Sequence, residues 1–103
     1  MSETWSEQYR IAAKDWVAKD AAANILEETK SAVLAQKMLS YSHLPVSRGE
    51  MTVKASQEWR EFITAMVKAR EEANLAKVRL EYTRMKFNEW QSEEATARAE
   101  RRL

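Results

Sequence analysis

One proline and one glycine are the only strong helix breakers in this 103-residue chain. Pro45 and Gly49 lie four positions apart near its middle. An ordinary soluble domain carries about seven glycines and five prolines per hundred residues, and folds with many turns depend on them. Two breakers so close together permit one turn. The sequence therefore predicts an all-α fold: a long, coiled-coil-like antiparallel hairpin of two helices.

The first helix is predicted from a capping box at one end and from the proline at the other. Thr4 and Glu7 have the spacing at which each side chain satisfies the other residue's exposed backbone donor. The residues before Pro45 are pushed away from helical backbone angles, so the helix should end shortly before it. The second helix has two candidate N-caps, Ser47 paired with Glu50, or Thr52. The predicted bounds are about 4–42 for helix 1, about 43–51 for the connection and about 52–100 for helix 2, in one domain spanning 1–103.

Helix 2 carries a strict seven-residue repeat of apolar positions. From Ala55 to Trp90 the steps alternate between four and three residues, with Thr83 as the one polar member. This repeat is typical of a left-handed coiled-coil seam, and helix 1 follows it less regularly. The residues we expect at the seam between the two helices are Trp5, Tyr9, Trp16, Leu26, Val33, Trp59, Phe62, Met66, Ala73, Leu80, Phe87 and Trp90.

Side-chain size supports the pairing that such a hairpin imposes. Folding the chain back at residue 47 pairs positions whose numbers sum to about 94. The run Ala21-Ala22-Ala23 then faces Ala73, and small side chains allow two helices to approach closely. Trp5 falls opposite Trp90, so we expect aromatic ends on either side of an alanine-lined middle.

A second apolar stripe lies on helix 2 about 100° around from the seam residues Ala76 and Leu80. Its members are Leu75, Val78, Tyr82 and Met85. A single hairpin partner cannot cover both the seam and this stripe. Partial cover by helix 1 or tolerated exposure is one interpretation; we favour an oligomer interface that joins hairpins into a four-helix dimer or a higher oligomer.

The charges argue against an obligate nucleic-acid partner. Lys and Arg number 17 and Asp and Glu 16, which gives a formal net charge of +1, and acidic residues interrupt the basic positions of helix 2. Direct nucleic-acid binding through these positions and the C-terminal tail is the alternative function. The contact residues for a partner or nucleic acid would be Arg79, Arg84, Lys86, Arg98, Arg101 and Arg102.

The sequence offers no set of catalytic or metal-binding residues. It contains no cysteine and one histidine, His43, and the acidic doublets place their two carboxylates about 100° apart on a helix. We therefore expect neither an enzyme nor a cofactor. We also find no apolar run of the ~18 residues that a membrane span requires, so we expect no membrane contact.

The segment Lys77-Val-Arg-Leu-Glu-Tyr-Thr-Arg-Met-Lys-Phe-Asn-Glu-Trp-Gln-Ser92, with the following Ala95-Thr-Ala-Arg-Ala-Glu-Arg-Arg-Leu103, resembles the C-terminal part of small uncharacterised helical proteins encoded by tailed bacteriophages and prophages. The similarity is clearest over residues 77–103. It implies a protein of the bacterial host's cytoplasm, in the setting of phage DNA recombination or replication. We expect a non-enzymatic interaction and oligomerisation module with a protein partner.

Overall fold

The computed structural model describes residues 4–102, and within that range every regular element is helical. Helix α1 spans Trp5–Met38 and continues into a single 3₁₀ turn at Leu39–Tyr41. A short helix α2 follows at Val46–Lys54, and the long helix α3 covers Gln57–Arg101. The described chain extends over 84 × 24 × 15 Å, with α1 and α3 packed against each other along its length. The prediction of an all-α hairpin is confirmed.

Helix α1 begins where the capping residues predicted. The Thr4 hydroxyl accepts a hydrogen bond from the Glu7 backbone N–H at 3.2 Å, which satisfies one of the exposed donors of the first turn. The predicted end near residue 42 is reached by the 3₁₀ turn, since the α-helix itself stops at Met38. The Leu44 N–H then bonds to the Tyr41 carbonyl at 2.9 Å, closing the chain reversal ahead of Pro45.

The connection is more ordered than predicted, and the start of helix 2 is corrected. The predicted connection covers about residues 43–51, with a second helix starting after Ser47 or Thr52, but α2 starts directly after Pro45. Proline is well suited to the start of a helix because its missing N–H would have no partner there. Gly49 lies inside α2, buried against Tyr41, and its N–H bonds to the Pro45 carbonyl at 2.9 Å.

Helix α3 has a different N-cap from either candidate. The Ser56 backbone is extended, and its hydroxyl accepts from the Trp59 N–H at 3.2 Å. Thr52 instead lies within α2 and donates to the Arg48 carbonyl at 2.8 Å. The helix predicted from about residue 52 is therefore broken at Ala55 and Ser56, and its long part begins at Gln57.

Alanines form the most deeply buried part of the interface between α1 and α3. Ala23, Ala73 and Ala76 are at most 2% exposed. Because they carry only a methyl group, the two backbones can approach closely in the middle of the rod. We call this region the alanine waist.

Larger side chains fill the ends of the hairpin, as predicted. At the closed end Val53 and Trp59 are buried, and the Trp59 ring stacks on Phe62 at 5.5 Å between centroids. At the open end Tyr9 meets Phe87 edge-on at 5.9 Å. Aromatic pairs of this kind add to the free energy of burial.

Candidate interaction surface

The predicted pairing of α1 with α3 is found in the structure. Asp15 faces Arg79 and Asn24 faces Arg70, two pairs whose numbers sum to 94. This register determines which side of α3 lies under α1 and which side remains open.

Most of the predicted seam residues lie between the helices. Trp59 and Ala73 are buried. Partly buried members are Trp5, Tyr9, Trp16, Leu26, Val33, Phe62, Met66, Leu80 and Phe87. The seam of α3 thus follows the heptad repeat over most of its length.

Trp90 is the exception, and its assignment to the buried seam is wrong. Its side chain is 42% exposed. Continuing the pairing of Asp15 with Arg79 and of Asn24 with Arg70 to this end places Trp90 level with Thr4, the N-cap of α1, whose side chain is short. The Trp90 ring instead leans on Phe87 of its own helix, with 6.1 Å between centroids.

The outer stripe, defined as Leu75, Val78, Tyr82 and Met85, is open to solvent. These four side chains are 52 to 63% exposed. Their spacing of three, four and three residues places them in one line along α3. Helix α1 covers the seam but leaves this line accessible, so the hairpin alone does not bury it.

Two shallow grooves border the outer stripe. One, of about 510 Å³, is lined by Met66, Val67, Leu75 and Val78 together with polar residues of both long helices. The other has a similar volume of about 510 Å³ and lies beside Tyr82, where Ile11 of α1 contributes to its wall. The stripe is therefore bordered by grooves whose walls combine apolar and polar side chains.

Arg70 connects the two long helices through a set of bonds that sequence reasoning missed. Its guanidinium donates to Asp20 at 2.7 Å, to both carboxylate oxygens of Glu27 at 2.8 and 2.9 Å, and to Asn24 at 2.7 Å. The sequence did contain a signal for this contact, because pairing positions whose numbers sum to 94 puts residue 24 opposite Arg70. Residues 20, 24 and 27 share one face of α1, so a long side chain opposite can reach all of them.

These bonds shift the ionisation of their members. Donation from Arg70 holds the pKa of the Glu27 carboxyl below its ordinary value. Glu27 and Asp20 in turn raise the pKa of Arg70 above its ordinary value. At the closed end, Lys37 donates to Glu58 at 2.9 Å and lowers the pKa of Glu58 in the same way. The charges that face each other across the hairpin are thus complementary.

Two of the predicted basic contact residues already interact with carboxylates. Arg79 lies 3.5 Å from Asp15, and Lys86 lies 3.4 Å from Glu89. The remaining predicted contact residues are exposed and spread along the second half of α3 and the residue after it: Arg84, Arg98, Arg101 and Arg102. The structure does not gather the six side chains into one patch.

Residues 4–102 contain no cluster of three or more His, Cys, Asp or Glu side chains that could hold a metal ion. His43 is exposed in the connection between the 3₁₀ turn and α2. None of the described helices has the length and apolarity needed to cross a membrane.

The fold places the chain in the class of long antiparallel helical hairpins. No protein-family model, curated protein or solved structure matches it. Its candidate site therefore rests on the geometry of its own residues.

Proposed function

We propose that this chain is a non-enzymatic protein-interaction module that binds through the outer stripe of α3. The observation that supports this function is the row of four large apolar side chains, each more than half exposed, on the side of α3 that α1 leaves open. Removing apolar surface from water contributes about 25 cal/mol per Å², so a partner that covers this row gains binding free energy.

The surroundings of the stripe have the composition of an interaction surface. Charged side chains such as Lys68, Glu71 and Glu89 border its two ends. An apolar centre within a polar rim is the usual arrangement at protein interfaces. Because this rim carries both positive and negative charges, it also favours a protein partner over a uniformly anionic partner.

The cellular setting we propose is that of a phage accessory protein linked to DNA recombination or replication in the bacterial cytoplasm. Support comes from the resemblance of residues 77–103 to phage-encoded helical proteins. In this setting the module would bring together protein components and would not contact DNA itself. The carboxylate partners of Arg79 and Lys86 reduce the charge that these two residues would offer to phosphates.

The experiment compares capture of bound protein by three forms of the tagged chain expressed in bacteria. In the double variant Val78→Glu/Tyr82→Glu, two charges interrupt the stripe. Val17→Glu is the matched control, because Val17 is 58% exposed but lies on α1. Circular dichroism first establishes that all three forms are equally helical.

We expect the wild type and Val17→Glu to retain the same bound protein, a second copy of the chain included, and the double variant to lose it. Reconstitution with that protein in purified form then gives the Kd for each variant. Identical binding by all three forms would contradict the proposal. DNA binding that weakens steeply with salt, unaffected by the stripe variant, would instead support the nucleic-acid alternative.

A further inference from the structure

We propose that the occupant of the outer stripe is a second copy of this chain, lying antiparallel across a two-fold axis that passes between Val78 and Arg79. This inference rests on the proposed function, in which the stripe is the contact surface. It adds the identity of the partner and its orientation.

The charges at the two ends of the stripe are arranged symmetrically about that axis. Lys68 and Glu89 lie equally far from it along α3, on opposite sides, and so do Glu71 and Lys86. A two-fold axis exchanges the two ends. It therefore brings Lys68 against Glu89 of the second copy, and Glu71 against Lys86 of the second copy.

The opposite orientation would place like charges together. In a parallel dimer each side chain meets its own equivalent in the second copy. Lys68 would then face a second Lys68, Glu71 a second Glu71 and Glu89 a second Glu89. Like charges across a helix interface oppose association, whereas opposite charges select orientation and partner. The charge pattern therefore discriminates between the two orientations.

At one charged end, the two side chains already form an ion pair within the chain. The Lys86 ammonium lies 3.4 Å from Glu89, and Lys68 and Glu71 are one helical turn apart. In the antiparallel dimer these four side chains, two from each copy, form a closed group of alternating charge. The dimer would have two such groups, one at each end of the apolar contact, about 30 Å apart along the helix.

Two of the four stripe residues are related by the same symmetry, whereas Met85 falls opposite Glu72 of the second copy and Val78 opposite Arg79. Leu75 and Tyr82 lie equally far from the axis, so each would cover the other's exposed side chain in the second copy. Val78 lies beside the axis and would pack near its own equivalent. The two copies of Arg79 would also approach there, and Asp15, 3.5 Å from Arg79, offsets their charge.

The absence of cysteine from the sequence makes the orientation directly measurable. We would prepare Lys68→Cys and Glu89→Cys as separate full-length chains and treat each alone, and then their mixture, with a short bismaleimide. Val78→Cys serves as the positive control, because it lies near its equivalent in either orientation. Sedimentation equilibrium over a range of concentrations gives the mass of the unlabelled wild type.

For the antiparallel dimer we expect a dimeric mass and efficient cross-linking in the mixture, with at least fivefold less product from either variant alone. Cross-linking of each variant with itself and little in the mixture would overturn the orientation. A monomeric mass at every concentration would overturn the second copy as occupant. In that case the capture experiment still decides whether the stripe binds another protein, so the two proposals fail separately.

A charge exchange provides an independent readout of the same contact. Lys68→Glu places carboxylates against Glu89 of the second copy at two equivalent positions, and we expect the dimer Kd to rise roughly three- to thirtyfold. Adding Glu89→Lys restores opposite charges across the interface and should recover most of the loss. A Kd that is unchanged by the single variant, or not recovered by the double variant, would contradict this arrangement.

Discussion

At the scale of single residues, Arg70 shows how a partly exposed charge can contribute to this fold. Its guanidinium bonds to three side chains of α1, and the paired N–H donors on Glu27 match the two carboxylate oxygens. Lysine could not reproduce this geometry, because an ammonium group lacks the planar fork. The contact should therefore depend on arginine and on an ionised Glu27.

The lowered pKa of Glu27 leads to a pH prediction. Because its pKa is lower in the folded chain than in the unfolded one, the contribution to stability is complete above the ordinary value of 4.5 and is lost as the pH falls through the folded pKa. Glu27→Gln should therefore show a smaller fall in thermal midpoint than the wild type between neutral and acidic pH. Thermal unfolding followed by circular dichroism measures this, with the exposed neighbour substitution Glu28→Gln as control. Equal falls in all three chains would show that the Arg70 contact contributes nothing.

Gly49 yields a second prediction at this scale. It lies within α2, where glycine costs roughly 0.5 to 1 kcal/mol relative to alanine. An added Cβ would meet Tyr41 at 3.7 Å, an ordinary van der Waals distance. We expect Gly49→Ala to raise the free energy of unfolding by about 0.5 to 1 kcal/mol in urea titrations. A loss of stability would mean that the close approach of α2 to Tyr41 requires glycine.

At the scale of helices, the sequence predicted long elements better than their boundaries. The Thr4 capping box located the start of α1, and the heptad repeat located the covered side of α3. The break at Ala55 and Ser56 escaped prediction because Ala55 continues the repeat without interruption. Gly49 was misleading as well: an isolated glycine favours a loop, but burial against Tyr41 makes a small helical residue suitable there.

The correct N-cap of α3 can be tested by substitution. Ser56→Ala removes the hydroxyl that accepts from the Trp59 N–H, and loss of such a cap costs about 1 kcal/mol. Thr52→Ala should have a smaller effect or stabilise slightly, because Thr52 lies inside α2 and alanine is the better helix former. Urea unfolding of both variants measures the difference. A larger loss for Thr52→Ala would assign the cap to Thr52, one of the two candidates from the sequence.

At the scale of the whole molecule, exposure divides α3 into a covered part and an open end. Beyond Trp90, the described residues are exposed apart from the partly buried Ala97. The pairing of positions that sum to about 94 predicted aromatic ends for the hairpin, but Trp90 was paired with Trp5, and the structure leaves Trp90 42% exposed. The outer stripe was predicted from periodicity alone, whereas the Arg70 contacts required side-chain positions.

Deletion of residues 92–103 tests this division. Because exposed residues contribute little to stability, the free energy of unfolding should change by no more than about 0.5 kcal/mol. The deletion leaves the outer stripe and its flanking charges in place, so stripe-dependent binding should also persist. Urea titration and the capture experiment measure the two quantities. Lost binding with unchanged stability would instead locate a docking site in the deleted segment.

The alanine waist has a consequence for how the hairpin keeps its alignment. Methyl groups facing methyl groups present few protrusions that could stop one helix from sliding along the other. A slide of one heptad would still leave small side chains near the middle, but it would carry Arg70 out of reach of Asp20, Asn24 and Glu27. The alignment of the two helices is thus held by the polar bonds along their flank and by the bulky rings at their ends. The alanine waist brings the helices close together but does not fix their position along each other.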